Sequence, residues 1–161
     1  MHNTVQNLVD IQNRINSHLD EHKIDKVPKI IAVSKTFKIE KILPLIDYGH
    51  KDFGENKVQE AVDKWTEVKL SNPDIQLHLI GKLQTNKVKY AVKIFDYIHS
   101  VDSEKLAKKI SDEEIKMNKK IKIFIQVNIG QEDQKSGINL SKLSSLISYC
   151  SEINLNVVGL M

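Results

Sequence analysis

The sequence predicts an α/β fold built on a parallel sheet. Two observations predict it. Short apolar, β-branched runs alternate with helical stripes along the whole 161 residues, and strands that alternate with helices pair in parallel through right-handed crossovers. No low-complexity segment or linker divides the chain, so residues 1–161 are expected to form one domain.

The elements follow in order. Val5, Leu8, Ile11, Ile15 and Leu19 stripe an N-terminal helix. Residues 30–35, "IIAVSK", form strand one. Ile39, Ile42, Leu43 and Ile46 stripe the next helix, which Gly49 stops. Pro44 lies inside that stripe and is expected to kink the helix or delay its start. Strand two covers 50–54, and Val58, Ala61, Val62 and Trp65 stripe the helix after it. Strand three is 77–81, followed by a helix striped by Val88, Ala91, Val92 and Phe95. Strand four is 97–101. Asp102 or Ser103 caps a helix with Leu106, Ala107, Ile110 and Met117 inward. Strand five is 122–129. A helix over 143–150 and strand six, 157–161, complete the pattern.

Two architectures accommodate this order: an open doubly wound sheet, or part of a (β/α)8 barrel. No Gly-x-Gly-x-x-Gly follows strand one, which weakens a dinucleotide fold. A complete barrel takes about 250 residues. Six strands are about three quarters of its eight.

Composition excludes several classes. Net charge is +3, from 24 basic and 21 acidic residues, too balanced for a nucleic-acid protein. The run Lys82, Lys87, Lys89 and Lys93 has little aromatic interleaving and reflects a lysine-rich composition. The apolar runs are too short to span a membrane, and the mixed N-terminus does not read as a signal or transit peptide. A cytoplasmic location is expected. The one cysteine, Cys150, lies on the stripe Leu143, Leu146, Ile147 and is expected in the core.

In either architecture ligands bind at the carboxyl ends of the strands. Those ends carry Ser34, Lys35 and Thr36; Gly54, Glu55 and Asn56; His78, Gly81 and Lys82; His99 and Ser100; Asn128; and Met161. A strand-end lysine either reaches solvent or uses its amine. A neutral amine condenses with an aldehyde, and burial or neighbouring cations raise the neutral fraction.

Six motifs are more specific than this spacing: "AVSKT" (32–36), "FGENKVQEA" (53–61), "HLIGKLQTNK" (78–87), "IHSVDS" (98–103), "VNIGQEDQKSGI" (127–138) and "GLM" (159–161). In order and interval they resemble the pyridoxal 5′-phosphate (PLP) homeostasis protein family, single-domain relatives of the alanine racemase N-terminal barrel. The resemblance implies a fold-type III PLP barrel, here an N-terminal helix plus about six strands, with the cofactor held as a Schiff base on Lys35. It implies a role in intracellular PLP homeostasis without catalytic turnover. Asn56 is expected near the ring, with His78, Asn128 and Met161 as further contacts at the mouth.

The family continues through two further strands, whose serine/glycine/methionine and Arg-Ile-Gly stretches are not in this sequence. The only arginine is Arg14. A member cut after strand six is therefore expected, with weak PLP binding, low stability and open edges on strands one and six that favour self-association. The alternatives are a racemase-type Schiff-base enzyme or a non-functional fragment. A racemase needs a second base opposite the lysine. Tyr48, Tyr90 and Tyr149 sit on or beside helices, and Tyr97 starts a strand, at the wrong end. Lys135, in the loop after strand five, is a second lysine for adventitious labelling.

Overall fold

The structure is a computed structural model describing residues 2–130 and 136–161. Lys135 lies outside the described residues. The helices are α1 (Asn3–His22), α2 (Ile39–Asp47), α3 (Val58–Ser71), α4 (Val88–Ile94), α5 (Glu104–Met117) and α6 (Leu143–Glu152). The strands are β1 (Ala32–Val33), β2 (Asp52–Glu55), β3 (Gln76–Leu79), β4 (Tyr97–Val101), β5 (Lys122–Ile125), β6 (Val127–Asn128), β7 (Ile138–Asn139) and β8 (Asn156–Leu160).

Six strands form one parallel sheet in the order β1-β2-β3-β4-β5-β8. Each strand of this sheet lies beside the next one in the chain. A doubly wound sheet reverses its strand order at a switch point; this sheet never does. It therefore winds as a barrel wall, with β1 and β8 as its edges. Consecutive helices from α3 to α6 pack side by side along it.

Alternation along each strand explains the core. Phe53, Leu77, Leu79, Ile98, Ile123 and Ile125 are buried with Ala61, Trp65, Ala91, Val92, Phe95, Ile110 and Leu146. Cys150 is fully buried among them, as its stripe predicts, and burial pushes its thiol pKa up.

Several expectations need correction. Strand one is only Ala32–Val33, because an edge strand has a single neighbour and the ladder covers Ala32↔Phe53 and Val33↔Gly54 alone. Lys35 is thus in the turn beyond β1. Strand five breaks at Gln126: β6 leaves the main sheet to pair with β7. Pro44 does not delay α2, which starts at Ile39. The proline removes the donor that would reach the carbonyl of Glu40, an exposed residue in the first turn. Gly49 does end the helix, at φ +97°. In α1, Val5 and Leu8 are buried but Ile11 is 47% exposed. Ile11, Ile15, Leu19 and Pro28 line an open surface groove instead.

Candidate functional site

The turn after β1 carries Lys35 between two tightly held residues. Ser34 is buried. Its N–H donates to the Gly54 carbonyl at 2.9 Å, extending the β1–β2 ladder by one bond. Its hydroxyl donates to Glu55 Oε1 at 2.8 Å. Its carbonyl accepts from Lys64 Nζ at 2.9 Å. Thr36 follows with φ +66°. A β-branched residue in the left-handed region is an outlier, at a cost of about 1–2 kcal/mol. The Thr36 N–H donates to Glu60 Oε1 at 2.6 Å, which holds it there.

These contacts belong to one network. Glu55, fully buried at the end of β2, also accepts from Lys64 Nζ and from Trp65 Nε1, each at 2.9 Å on Oε1. Lys64 and Glu60 pair at 3.0 Å, one turn apart on α3. The Lys64 ammonium holds the Glu60 carboxyl below the usual range; partial burial opposes it, and the Thr36 N–H adds to it. Lys64 is thus engaged by three oxygens: Ser34 O, Glu55 Oε1 and Glu60 Oε1. Lys35 is exposed, and among the described residues its ammonium has no ion-pair partner.

Three buried side-chain polar atoms among the described residues lack a hydrogen-bond partner: Glu55 Oε2, Asn56 Oδ1 and Ser100 Oγ. All three belong to the carboxyl ends of β2 and β4, the end of the sheet that carries Lys35. Buried polar groups are otherwise paired almost without exception. An orphan amide oxygen and an orphan hydroxyl at the strand mouth suit a small polar ligand. The backbone is close there too: a Cβ on Gly81 would lie 2.2 Å from the Asn56 carbonyl oxygen, so only glycine lets the chain after β3 pass.

The expected site residues fall into three places. Lys35 and Asn56 follow adjacent strands, two residues beyond the Val33↔Gly54 pair. Met161 lies at the far edge of the sheet, where its carbonyl accepts from Val127 N at 2.8 Å, and Asn128 is the next residue after Val127. Asn128 belongs to β6 and not to the end of β5. His78 goes elsewhere. Its Nε2 lies 3.0 Å from Asp52 Oδ1 and its Nδ1 lies 3.0 Å from His99 Nε2. Both ring nitrogens are used inside the barrel wall, and its ring stacks on Tyr97, at the start of β4. His78 is therefore part of the interior. Lys29 pairs with Asp52, and Lys122 donates to the Tyr97 hydroxyl, closing this inner cluster. Burial lowers the pKa of both histidines, that of His99 to about 4, with His78 beside it acting in the same direction.

Glu60 and Lys64 are the residues that sequence reasoning missed as parts of the site, and Glu55, placed at the strand ends, was given no role there. The signal was present: a Glu/Lys pair four apart on α3, and an acid closing a buried strand, which must find a partner.

Comparison with known proteins agrees with this fold. The family model for the alanine racemase N-terminal domain matches residues 7–161. A pyridoxal phosphate homeostasis protein of Pasteurella multocida is 35% identical over 158 residues, covering 97% of this chain and 68% of that protein. The structure of PipY of Synechococcus elongatus with PLP bound superposes with a TM-score of 0.72 at 33% identity, covering 89% of this chain and 70% of that one. PipY without PLP gives a TM-score of 0.75 at 34% identity, covering 89% and 66%. The chain thus spans about two thirds of these relatives. With a barrel-wound sheet, a lysine beyond its first strand and this likeness over nearly its full length, the chain belongs to the pyridoxal phosphate homeostasis protein family, on the fold of the alanine racemase N-terminal domain.

Proposed function

We propose that this chain binds pyridoxal 5′-phosphate through the amine of Lys35 and holds it, as a member of a system that buffers the free cofactor, without turning over a substrate. One observation carries the reading. Among the described residues the Lys35 ammonium has no ion-pair partner beyond β1, while Lys64, whose amine also reaches that turn, is engaged by three oxygens. Bound, PLP presents an aldehyde that condenses with a neutral primary amine and releases water. The chain's own residues supply the rest. Asn56 offers an unpaired amide oxygen at the end of β2, the strand beside β1, and Ser100 an unpaired hydroxyl from β4. Asn128 and Met161 bound the opposite side of the mouth.

Holding is favoured over turnover by what stands near the amine. Tyr97 is committed to Lys122 and to the His78 ring at the start of β4. Tyr48, Tyr90 and Tyr149 lie on or just after helices. The lone buried Cys150 suits a reducing compartment, so a cytoplasmic location is part of the same reading. Among the described residues no helix is long and apolar enough to cross a membrane.

The test is to mix the chain with PLP, record the visible imine absorbance, reduce with borohydride and map the modified lysine by mass spectrometry. Label on Lys35 that disappears in Lys35→Ala is expected. Label spread over many lysines, Lys135 included, would overturn the assignment.

A further inference from the structure

The Lys35 backbone is bounded by two peptide planes, and both are tied to α3. The plane before Lys35 offers the Ser34 carbonyl, which accepts from Lys64 Nζ at 2.9 Å. The plane after it offers the Thr36 N–H, which donates to Glu60 Oε1 at 2.6 Å. Lys64 and Glu60 are themselves an ion pair at 3.0 Å, and Glu55 anchors Lys64 from the buried side at 2.9 Å. One charge pair on a neighbouring helix therefore fixes both peptide planes, and with them the backbone angles of the residue between. The conformation being fixed is one the chain would not adopt unaided, since Thr36 sits at φ +66°. Backbone strain of this kind persists only where the surroundings over-determine it, and it gathers at functional sites.

We propose that Glu60 and Lys64 are positioning residues: they clamp the turn around Lys35 and so set the direction in which its Cα–Cβ bond delivers the amine to the strand mouth. The proposal rests on the reading of Lys35 as the cofactor lysine. The role asks no contact with the cofactor of either residue. Their part is to remove the rotational freedom that a turn beyond a two-residue edge strand would otherwise have. A reacting group displaced by about 1 Å can lose about 10²-fold in rate, so the clamp acts on the rate of bond formation at Lys35 as well as on its occupancy.

The test uses the full chain and two readouts. One is the rate and selectivity of borohydride-trapped PLP on Lys35. The other is hydrogen exchange at the Thr36 amide without ligand. Glu60 is the position to vary, because its side chain is partly exposed and the fold tolerates its loss better than that of Lys64. Glu60→Ala removes both the Thr36 acceptor and one of the two ion-pair partners of Lys64. It is expected to slow trapping at Lys35 by about tenfold or more, move label to other lysines and deprotect the Thr36 amide, with a melting temperature close to that of the parent. Glu60→Gln keeps an oxygen for the Thr36 N–H and is expected to restore most of the protection and rate. Asp63→Asn, on the same helix and outside the network, is the control.

Trapping in Glu60→Ala at the parent rate and selectivity would overturn the proposal. So would a rate loss that Glu60→Gln fails to restore, or an unprotected Thr36 amide in the parent chain. A parent chain that protects Thr36 but shows no preference for Lys35 would overturn the cofactor reading itself, and the positioning role with it.

Discussion

His78 and His99 meet nitrogen to nitrogen inside the barrel wall, Nδ1 to Nε2 at 3.0 Å. The other nitrogen of His78 faces Asp52 Oδ1 at 3.0 Å. A carboxylate only accepts, so His78 donates from Nε2 and, when neutral, accepts at Nδ1. His99 must then donate from Nε2. Each ring uses one proton in this bond pattern, and a further proton on His78 would set N–H against N–H. Phe124 stacks on the other ring, His99, at 4.3 Å.

A pH dependence follows. The folded-state value of His99, about 4, lies below its ordinary value, and His78 is shifted the same way, burial outweighing the help of Asp52. Above roughly pH 6.5 both states are neutral and the contribution to stability is complete. As the pH falls the unfolded chain takes up protons that the folded chain refuses, and stability is lost until His99 itself protonates near 4. For His99 the full loss is about 3 kcal/mol. Thermal melts between pH 7.5 and 4.5 are expected to fall steeply, and His99→Leu to flatten that fall. A parallel fall in both chains would locate the titration elsewhere.

Gly81→Ala is expected to destabilise by about 3 kcal/mol. Its Cβ would enter the space held by the Asn56 carbonyl oxygen, carbon and Cα, all of which are backbone and cannot rotate away. Denaturant unfolding measures the loss. Reduced selectivity of PLP trapping at Lys35 should accompany it, since the displaced backbone is that of Asn56.

Trp65→Phe tests the buried acid. The indole N–H is one of three donors on Glu55 Oε1. Removing it while keeping an aromatic ring against Phe53 should cost about 1–3 kcal/mol. A melt indistinguishable from the parent would show that Lys64 and Ser34 alone suffice.

Glu114→Ala probes the junction of α5 and β5. The buried carboxylate accepts from Ile121 N at 2.6 Å and from Lys120 Nζ at 2.9 Å. Lys120 can turn to water; the Ile121 amide is buried and cannot. A loss of about 1–3 kcal/mol is expected, whereas Lys120→Ala should cost less, since the Ile121 N–H still serves the buried carboxylate. Equal losses in chemical denaturation would contradict this division.

The helical stripes were legible because a period near 3.6 is a property of the chain itself. Ala61 and Trp65, Ala91 and Val92, and Ile110 are all in the core. Strand limits were less so, because a strand ends where its neighbour stops offering partners. Nothing in "IIAVSKTF" says that only Ala32 and Val33 pair, or that Gln126 sends the chain out of the sheet. Ile11 was misplaced for a related reason: periodicity names a face but not what covers it. The place of Lys35 beyond the first strand was legible from the apolar run before it, and that of Asn56 from the next run. His78 was assigned to the mouth because its strand ends there. Its ring is drawn inward by Asp52 and His99, residues 26 and 21 positions away, a pairing that exists only once the register is known. The clamp on Lys35 also depends on register, since Glu60 and Lys64 reach Ser34 and Thr36 only when β1 lies beside β2.

The strand order bears on how the chain reaches this state. Ala32 pairs with Phe53, Gly54 with His78, His78 with Tyr97 and Ile98 with Ile123. From β2 to β5 each newly made strand docks on the one completed just before it. The longest wait is between β5 and β8, where Ile123 pairs with Val157 across the excursion through β6 and β7. Loops closed between successive elements cost little entropy and favour rapid folding. Growth by one strand and helix at a time also suits vectorial synthesis. Pairing of β8 closes the longest of these loops.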